Sequence, residues 1–176
     1  MVSRNPEIVK EADAIGWTPL HYAALIGNPE ATRVLTQCDS SVSYILDKSG
    51  MSALHVAAYA GQTKVLEELI QCLPDTSDLL NVKGQTVLHA AVLGGRVNVV
   101  KYILKTPQLA GLINEADKDG NTALHLAAIH QNIEIIGTLA SDSRVDTTIR
   151  NSQRRSTFLL WTTENWKCFV DKDEEP

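Results

Sequence analysis

Gly16-Trp17-Thr18-Pro19-Leu20-His21-Tyr22-Ala23-Ala24 returns three times along the chain. The copies are Gly50-Met51-Ser52-Ala53-Leu54-His55-Val56-Ala57-Ala58, Gly84-Gln85-Thr86-Val87-Leu88-His89-Ala90-Ala91-Val92 and Gly120-Asn121-Thr122-Ala123-Leu124-His125-Leu126-Ala127-Ala128. Successive histidines lie 34, 34 and 36 residues apart. A fixed period of this length marks stacked supersecondary units. A second glycine follows the first by eleven residues, at Gly27, Gly61 and Gly95, and the fourth copy has Gln131 there.

Each copy reads as helix, tight turn, helix, loop. Thr18, Ser52, Thr86 and Thr122 suit a helix N-cap or its neighbourhood, and Pro19 suits a first turn. Leu-His-x-Ala-Ala is a short first helix with a small-residue face, ended by the second glycine in a left-handed conformation. A second helix follows, with apolar pairs on one face: Val65, Leu66, Leu69 and Ile70, then Val99, Val100, Ile103 and Leu104, then Ile135, Ile136 and Leu139. The first unit is weaker there, with Ala31, Thr32, Leu35 and Thr36. No unit can bury its own apolar face, so stability must come from stacking.

The period divides the chain into units near 13–46, 47–80, 81–116 and 117–150, a repeat domain over 13–151. Residues 1–12 read as the tail of a partial preceding unit. Residues 152–176 read as a degenerate fifth unit or a C-terminal cap with an acidic tail. In register, Arg154 replaces the glycine, Leu159 the histidine and Trp161 a small alanine. Both ends are expected to be cut from a longer array.

Composition agrees with a repeat body. The chain has 176 residues, 44% of them apolar and 21% charged, with 16 Lys and Arg against 21 Asp and Glu. The net charge of −5 argues against a general phosphate-backbone binder. Only 9 residues are aromatic, and Phe158, Trp161, Trp166 and Phe169 fall in the last 19. The body must therefore close over Ala, Leu, Ile and Val. No apolar run reaches the roughly 18–20 residues of a membrane span. The first residues lack a secretory signal, and the 3 cysteines have no metal-ligand spacing, which favours a reducing compartment. A cytoplasmic monomer without cofactor or direct membrane insertion is expected.

The T-P-L-H-x-A-A signature and its period resemble those of ankyrin repeats, over about residues 13–151. The resemblance implies an all-α ankyrin solenoid of four complete repeats with partial repeats at both ends. It also implies a non-enzymatic protein-binding module. Residues 39–58 (DSSVSYILDKSGMSALHVAA) and 114–140 (NEADKDGNTALHLAAIHQNIEIIGTLA) further resemble plant ankyrin proteins with a C-terminal PGG membrane domain, the accelerated-cell-death group. That likeness implies a role in plant defence or stress signalling. The alternative is a regulatory or targeting domain of a larger membrane protein or enzyme, with the repeats on the cytosolic face of a membrane.

Nothing in the pattern asks for catalysis. His21, His55, His89 and His125 each follow Leu at a helix start, where a structural hydrogen bond to backbone or to the nearby Thr or Ser is expected. Equivalent places in stacked repeats are about 8–10 Å apart, too far for two histidines to share a zinc. The same spacing puts Cys38 and Cys72 beyond disulfide reach, and packed free thiols are expected. Asp117-Lys118-Asp119 begins like a calcium loop but has Thr122 and Ala128 where Gly and Glu belong.

By resemblance, the framework is Gly16, Gly27, Gly50, Gly61, Gly84, Gly95 and Gly120 with the four histidines. Binding positions flank the first glycine and precede the second. They are Ala14, Ile15, Trp17, Leu25 and Ile26; Lys48, Ser49, Met51, Tyr59 and Ala60; Val82, Lys83, Gln85, Leu93 and Gly94; and Lys118, Asp119, Asn121, Ile129 and His130. These vary between copies while the framework does not. The predicted groove is apolar at its N-terminal end and polar, mixed in charge, at the other.

Overall fold

Every repeat starts with the same side-chain-to-backbone turn. Oδ1 of Asp47 accepts the N–H groups of Ser49 and Met51 at 2.8 and 2.9 Å. Asp13, Asn81, Asp117 and Asn151 make the corresponding pair of bonds. An Asp or Asn carbonyl oxygen that bonds its own downstream backbone enforces a tight reversal. The result is a row of hairpin fingers, each closed by a backbone bond such as Asp47 N–H to Met51 O at 2.9 Å. Short antiparallel bridges (Leu46 with Ser52, Ala116 with Thr122, Arg150 with Ser156) brace three of them.

The computed structural model describes residues 6–72 and 79–156. After each finger comes an inner helix, and after that an outer one. The pairs are α1 (Pro19–Ile26) with α2 (Pro29–Cys38), α3 (Ala53–Ala60) with α4 (Thr63–Cys72), α5 (Val87–Leu93) with α6 (Val97–Lys105), and α7 (Ala123–Ile129) with α8 (Ile133–Ala140). Inner helices pack on inner helices and outer on outer along the chain. Short 3₁₀ segments at Pro6–Lys10, Ser40–Tyr44 and Pro107–Leu112 lie in the loops that precede fingers. Among the described residues the fold is the all-α solenoid that the period predicts, with no strand beyond isolated bridges.

The core follows the repeat. Leu20, Leu54 and Leu88 are fully buried, as are Ala24, Ala57, Ala58, Ala91 and Ala127, whose small side chains let neighbouring helices approach. A larger residue there would overpack at roughly 1–3 kcal/mol. The paired apolar residues of the second and third outer helices, Val65, Leu66, Leu69 and Ile70 with Val99, Val100, Ile103 and Leu104, are all buried. In α2 the core places are Thr32 and Thr36, whose hydroxyls donate back to Asn28 O and Thr32 O. That satisfies them but contributes less apolar burial.

Two sequence expectations change. Cys38 and Cys72 are free but exposed, because the outer helices end at solvent rather than in the core. The fifth finger forms in spite of Arg154, which adopts φ 59° in the place of glycine. Gly50 and Gly120 each have the next finger against them: a Cβ would meet Val82 N at 2.6 Å and Ser152 N at 2.8 Å. Among the described residues no further finger stacks on Arg154, so only the left-handed backbone must be tolerated there. Leu159, Trp161 and the rest of the predicted tail lie outside the described residues. Gln131, in place of the second glycine, likewise takes φ 54°.

Candidate functional site

The histidines tie each repeat to the next. Nε2 of His21, His55, His89 and His125 lies 3.1, 3.1, 2.9 and 3.1 Å from the carbonyl oxygens of Met51, Gln85, Asn121 and Arg155. A carbonyl can only accept, so Nε2 carries the proton and Nδ1 accepts. Its donors are the N–H and hydroxyl of Thr18, Ser52, Thr86 or Thr122 at the helix N-cap. The histidine thus takes the part that glutamate has in a capping box. All four rings are buried, and burial lowers their pKa values, that of His55 to about 4. These are neutral structural links with no access to a substrate.

The fingers form a second ladder. Lys48, Val82, Lys118 and Ser152 donate their N–H groups to Ile15, Ser49, Lys83 and Asp119 of the preceding finger at 2.9–3.2 Å. Side chains reinforce it: Trp17 Nε1 donates to Asp47 at 3.0 Å, Gln85 Nε2 to Asp117 at 3.3 Å, and Asn151 Nδ2 to Asn121 at 2.9 Å. Burial would raise the Asp47 pKa, but the bonds from Ser49, Met51 and Trp17 outweigh it and hold the carboxylate below its usual value.

This ladder corrects the predicted groove. Gln85 and Asn121 are buried, with their amides used between fingers. Trp17 and Met51 occupy the same place in their fingers and are half-buried. The position after the first glycine varies between copies because it packs on the next finger, which also varies. Gly94 is likewise a close-packing residue: a Cβ there would lie 2.1 Å from Tyr59 O.

Ala60 and Leu93 are half-buried, and the remaining candidates are exposed. Ile15, Lys48, Lys83, Lys118 and Asp119 stand on the fingers. Leu25 and Ile26 end α1, Tyr59 lies in the last turn of α3, and Ile129 and His130 end α7. Ile26 is 73% exposed. The helix ends are held by the following repeat, since Gln62 Nε2 donates to Leu25 O and Arg96 Nε to Tyr59 O. Tyr22 lies near the predicted groove positions. It is exposed, meets Trp17 edge-on, and donates to Asp13 at 2.6 Å, which lowers that carboxyl's pKa. Its equivalents Val56, Ala90 and Leu126 are buried, and this exception to the pattern was the available signal.

Among the described residues no cluster of three His, Cys, Asp or Glu side chains could hold a metal. None of the described helices is long and apolar enough to cross a membrane.

The family model described as Ankyrin repeats matches residues 3–78 and 66–151. The chain belongs to the ankyrin-repeat family. No curated protein matches it. Ankyrin arrays are protein-interaction modules and are in general non-enzymatic. The ankyrin framework here is the glycines, the capping histidines and the Asx turns. The exposed finger and inner-helix residues are what such a framework presents.

Proposed function

We propose that this ankyrin array binds a protein partner along the surface made by its finger tips and the ends of its inner helices. The observation that carries this reading is the exposure of Ile15, Tyr22, Leu25, Ile26 and Tyr59 on those elements of the first two repeats. Large apolar and aromatic side chains are the favoured anchors of interfaces. Full coverage of one such side chain contributes roughly 1.5–3 kcal/mol. The backbone that presents them is already ordered by the two ladders, so little ordering entropy is lost on binding.

A photo-crosslinking residue placed at Tyr59 or Leu25 tests this against one placed at Glu67 or Gln37 on the outer helices. Crosslinks to partners are expected from the first pair only. Crosslinks from the outer-helix positions alone would overturn the proposal.

The likeness of residues 39–58 and 114–140 to the plant PGG-domain proteins supports a finer reading. In it, the array acts in the cytosol as the binding part of a membrane-associated regulator of defence and cell death, itself without catalytic activity. An apolar segment of 18 or more residues encoded downstream in the same transcript would support that reading. A catalytic domain in that place would instead support the regulatory domain of an enzyme.

A further inference from the structure

The exposed ends of the fingers carry mostly positive charge. Lys48 stands on the second finger, Lys83 on the third, Lys118 on the fourth and Arg154 on the fifth, with Arg155 at the base of the fifth. All five are exposed, and among the described residues none has an ion-pair partner. Asp119 is the one carboxylate at the tips of these four fingers. Asp47 and Asp117 lie at the finger bases, with their oxygens on backbone N–H groups. The ladder holds the tips together: Lys118 N–H donates to Lys83 O at 2.9 Å. A chain of net charge −5 therefore concentrates exposed cations along one edge of its stack. Like charges held side by side raise the local potential and steer an anionic ligand.

The same repeats also expose Tyr59 at the end of α3 and Ile129 at the end of α7. Cations on the fingers with apolar side chains on the helices fit a chain that offers both kinds of group. A polynucleotide offers phosphates but has no aliphatic anchor to cover Tyr59 and Ile129. We propose that the partner segment is an extended acidic polypeptide. Its Asp and Glu side chains meet the finger cations, and its apolar side chains cover Tyr59 and Ile129. The proposal rests on the groove reading above.

The test is selection from a random peptide library displayed on phage, using the whole chain as bait. Synthetic versions of the enriched peptides are then measured by fluorescence anisotropy at low and high NaCl. The enriched peptides are expected to be net negative and to weaken with salt. They should lose about tenfold in affinity or more when Lys48, Lys83 and Lys118 are together changed to Glu, because each exposed pair contributes a modest amount. The corresponding Lys→Gln variant, which removes charge without adding repulsion, should lose less. Circular dichroism checks that both variants fold. Neutral or basic peptides that ignore the lysine changes but are lost in Tyr59→Ala would overturn the acidic partner and leave the groove standing. Peptides indifferent to both sets of changes would overturn both. Tighter binding of a charge-matched single-stranded oligonucleotide would also overturn the proposal.

Discussion

His55 Nε2 donates to the carbonyl of Gln85, 3.1 Å away and one repeat further on, while its Nδ1 accepts from Ser52. One neutral ring thus satisfies a helix N-terminus and the backbone of the neighbouring repeat. Removing it leaves the Gln85 carbonyl and the Ser52 N–H buried without their partner. Each such orphan costs about 1–3 kcal/mol. His55→Ala is therefore expected to destabilise the fold by roughly 2–5 kcal/mol once the cavity is included. Urea unfolding checks this; a loss under 1 kcal/mol would mean that the link carries little.

The same rings set a pH dependence. In the unfolded chain a histidine takes up its proton near pH 6.5, whereas burial keeps His55 neutral down to about 4. Protons therefore favour the unfolded state between these values. Stability is full above pH 6.5 and falls as pH drops toward 4, by on the order of 3 kcal/mol for His55 alone. His21, His89 and His125 shift in the same direction for the same reason. The carboxyls of Asp13, held low by the Tyr22 hydroxyl and then its turn bonds, and of Asp47, held low against burial by its bonds from Ser49, Met51 and Trp17, add a second loss below the ordinary Asp value. Thermal melts from pH 8 to 4 should show Tm falling throughout the lower half. A Tm that is flat between pH 6.5 and 4.5 would contradict it.

The solenoid was legible because its determinants recur in one chain. Four copies of a Leu-His-x-Ala phrase average out local ambiguity, and the outer-helix faces show the helical period. The finger turn was less visible. Asp13, Asp47, Asn81, Asp117 and Asn151 recur at 34, 34, 36 and 34, but three are Asp and two are Asn, so only their shared carbonyl oxygen unites them. The site was legible in outline, since exposed places vary between copies. Variation could not separate solvent-facing Lys83 from buried Gln85 two residues later. Both differ from their counterparts, one because nothing constrains it and the other because its partner Asp117 does.

Two glycine positions test what the fingers require. Gly50 sits at φ 75°, and a Cβ there would lie 2.6 Å from Val82 N, a backbone atom that cannot swing away. Gly50→Ala thus combines left-handed strain of about 1–2 kcal/mol with separation of two fingers, and should destabilise by more than 2 kcal/mol. Arg154 has the same backbone sign at φ 59°, and among the described residues no finger stacks on it. Arg154→Gly relieves the strain but adds freedom to the unfolded chain, for a net gain of about 0.5 kcal/mol. Opposite signs are expected in denaturant melts of the two variants. Equal losses would show that glycine is not needed for its conformation.

In a quasi-one-dimensional stack, each repeat is held by its neighbours, so protection should fall where a neighbour or a core residue is weak. The first repeat has threonines where later outer helices have Leu and Ile, and the apolar groove of Ala23, Ile26, Ala31, Val34 and Leu35 between α1 and α2 is uncovered. Repeats two and three have buried Leu in both helices, buried Ile in the outer ones, and a histidine link on each side. Native-state hydrogen exchange should rank α3 to α6 as slowest, with α1 and α2 opening first. Replacing Thr32 and Thr36 by Leu and Ile, the residues at those places in the second repeat (Leu66 and Ile70), should slow exchange in α2 and leave α5 and α6 unchanged. Uniform protection from residue 10 to 150 would show that the array unfolds as one unit and that the weak first core does not act locally.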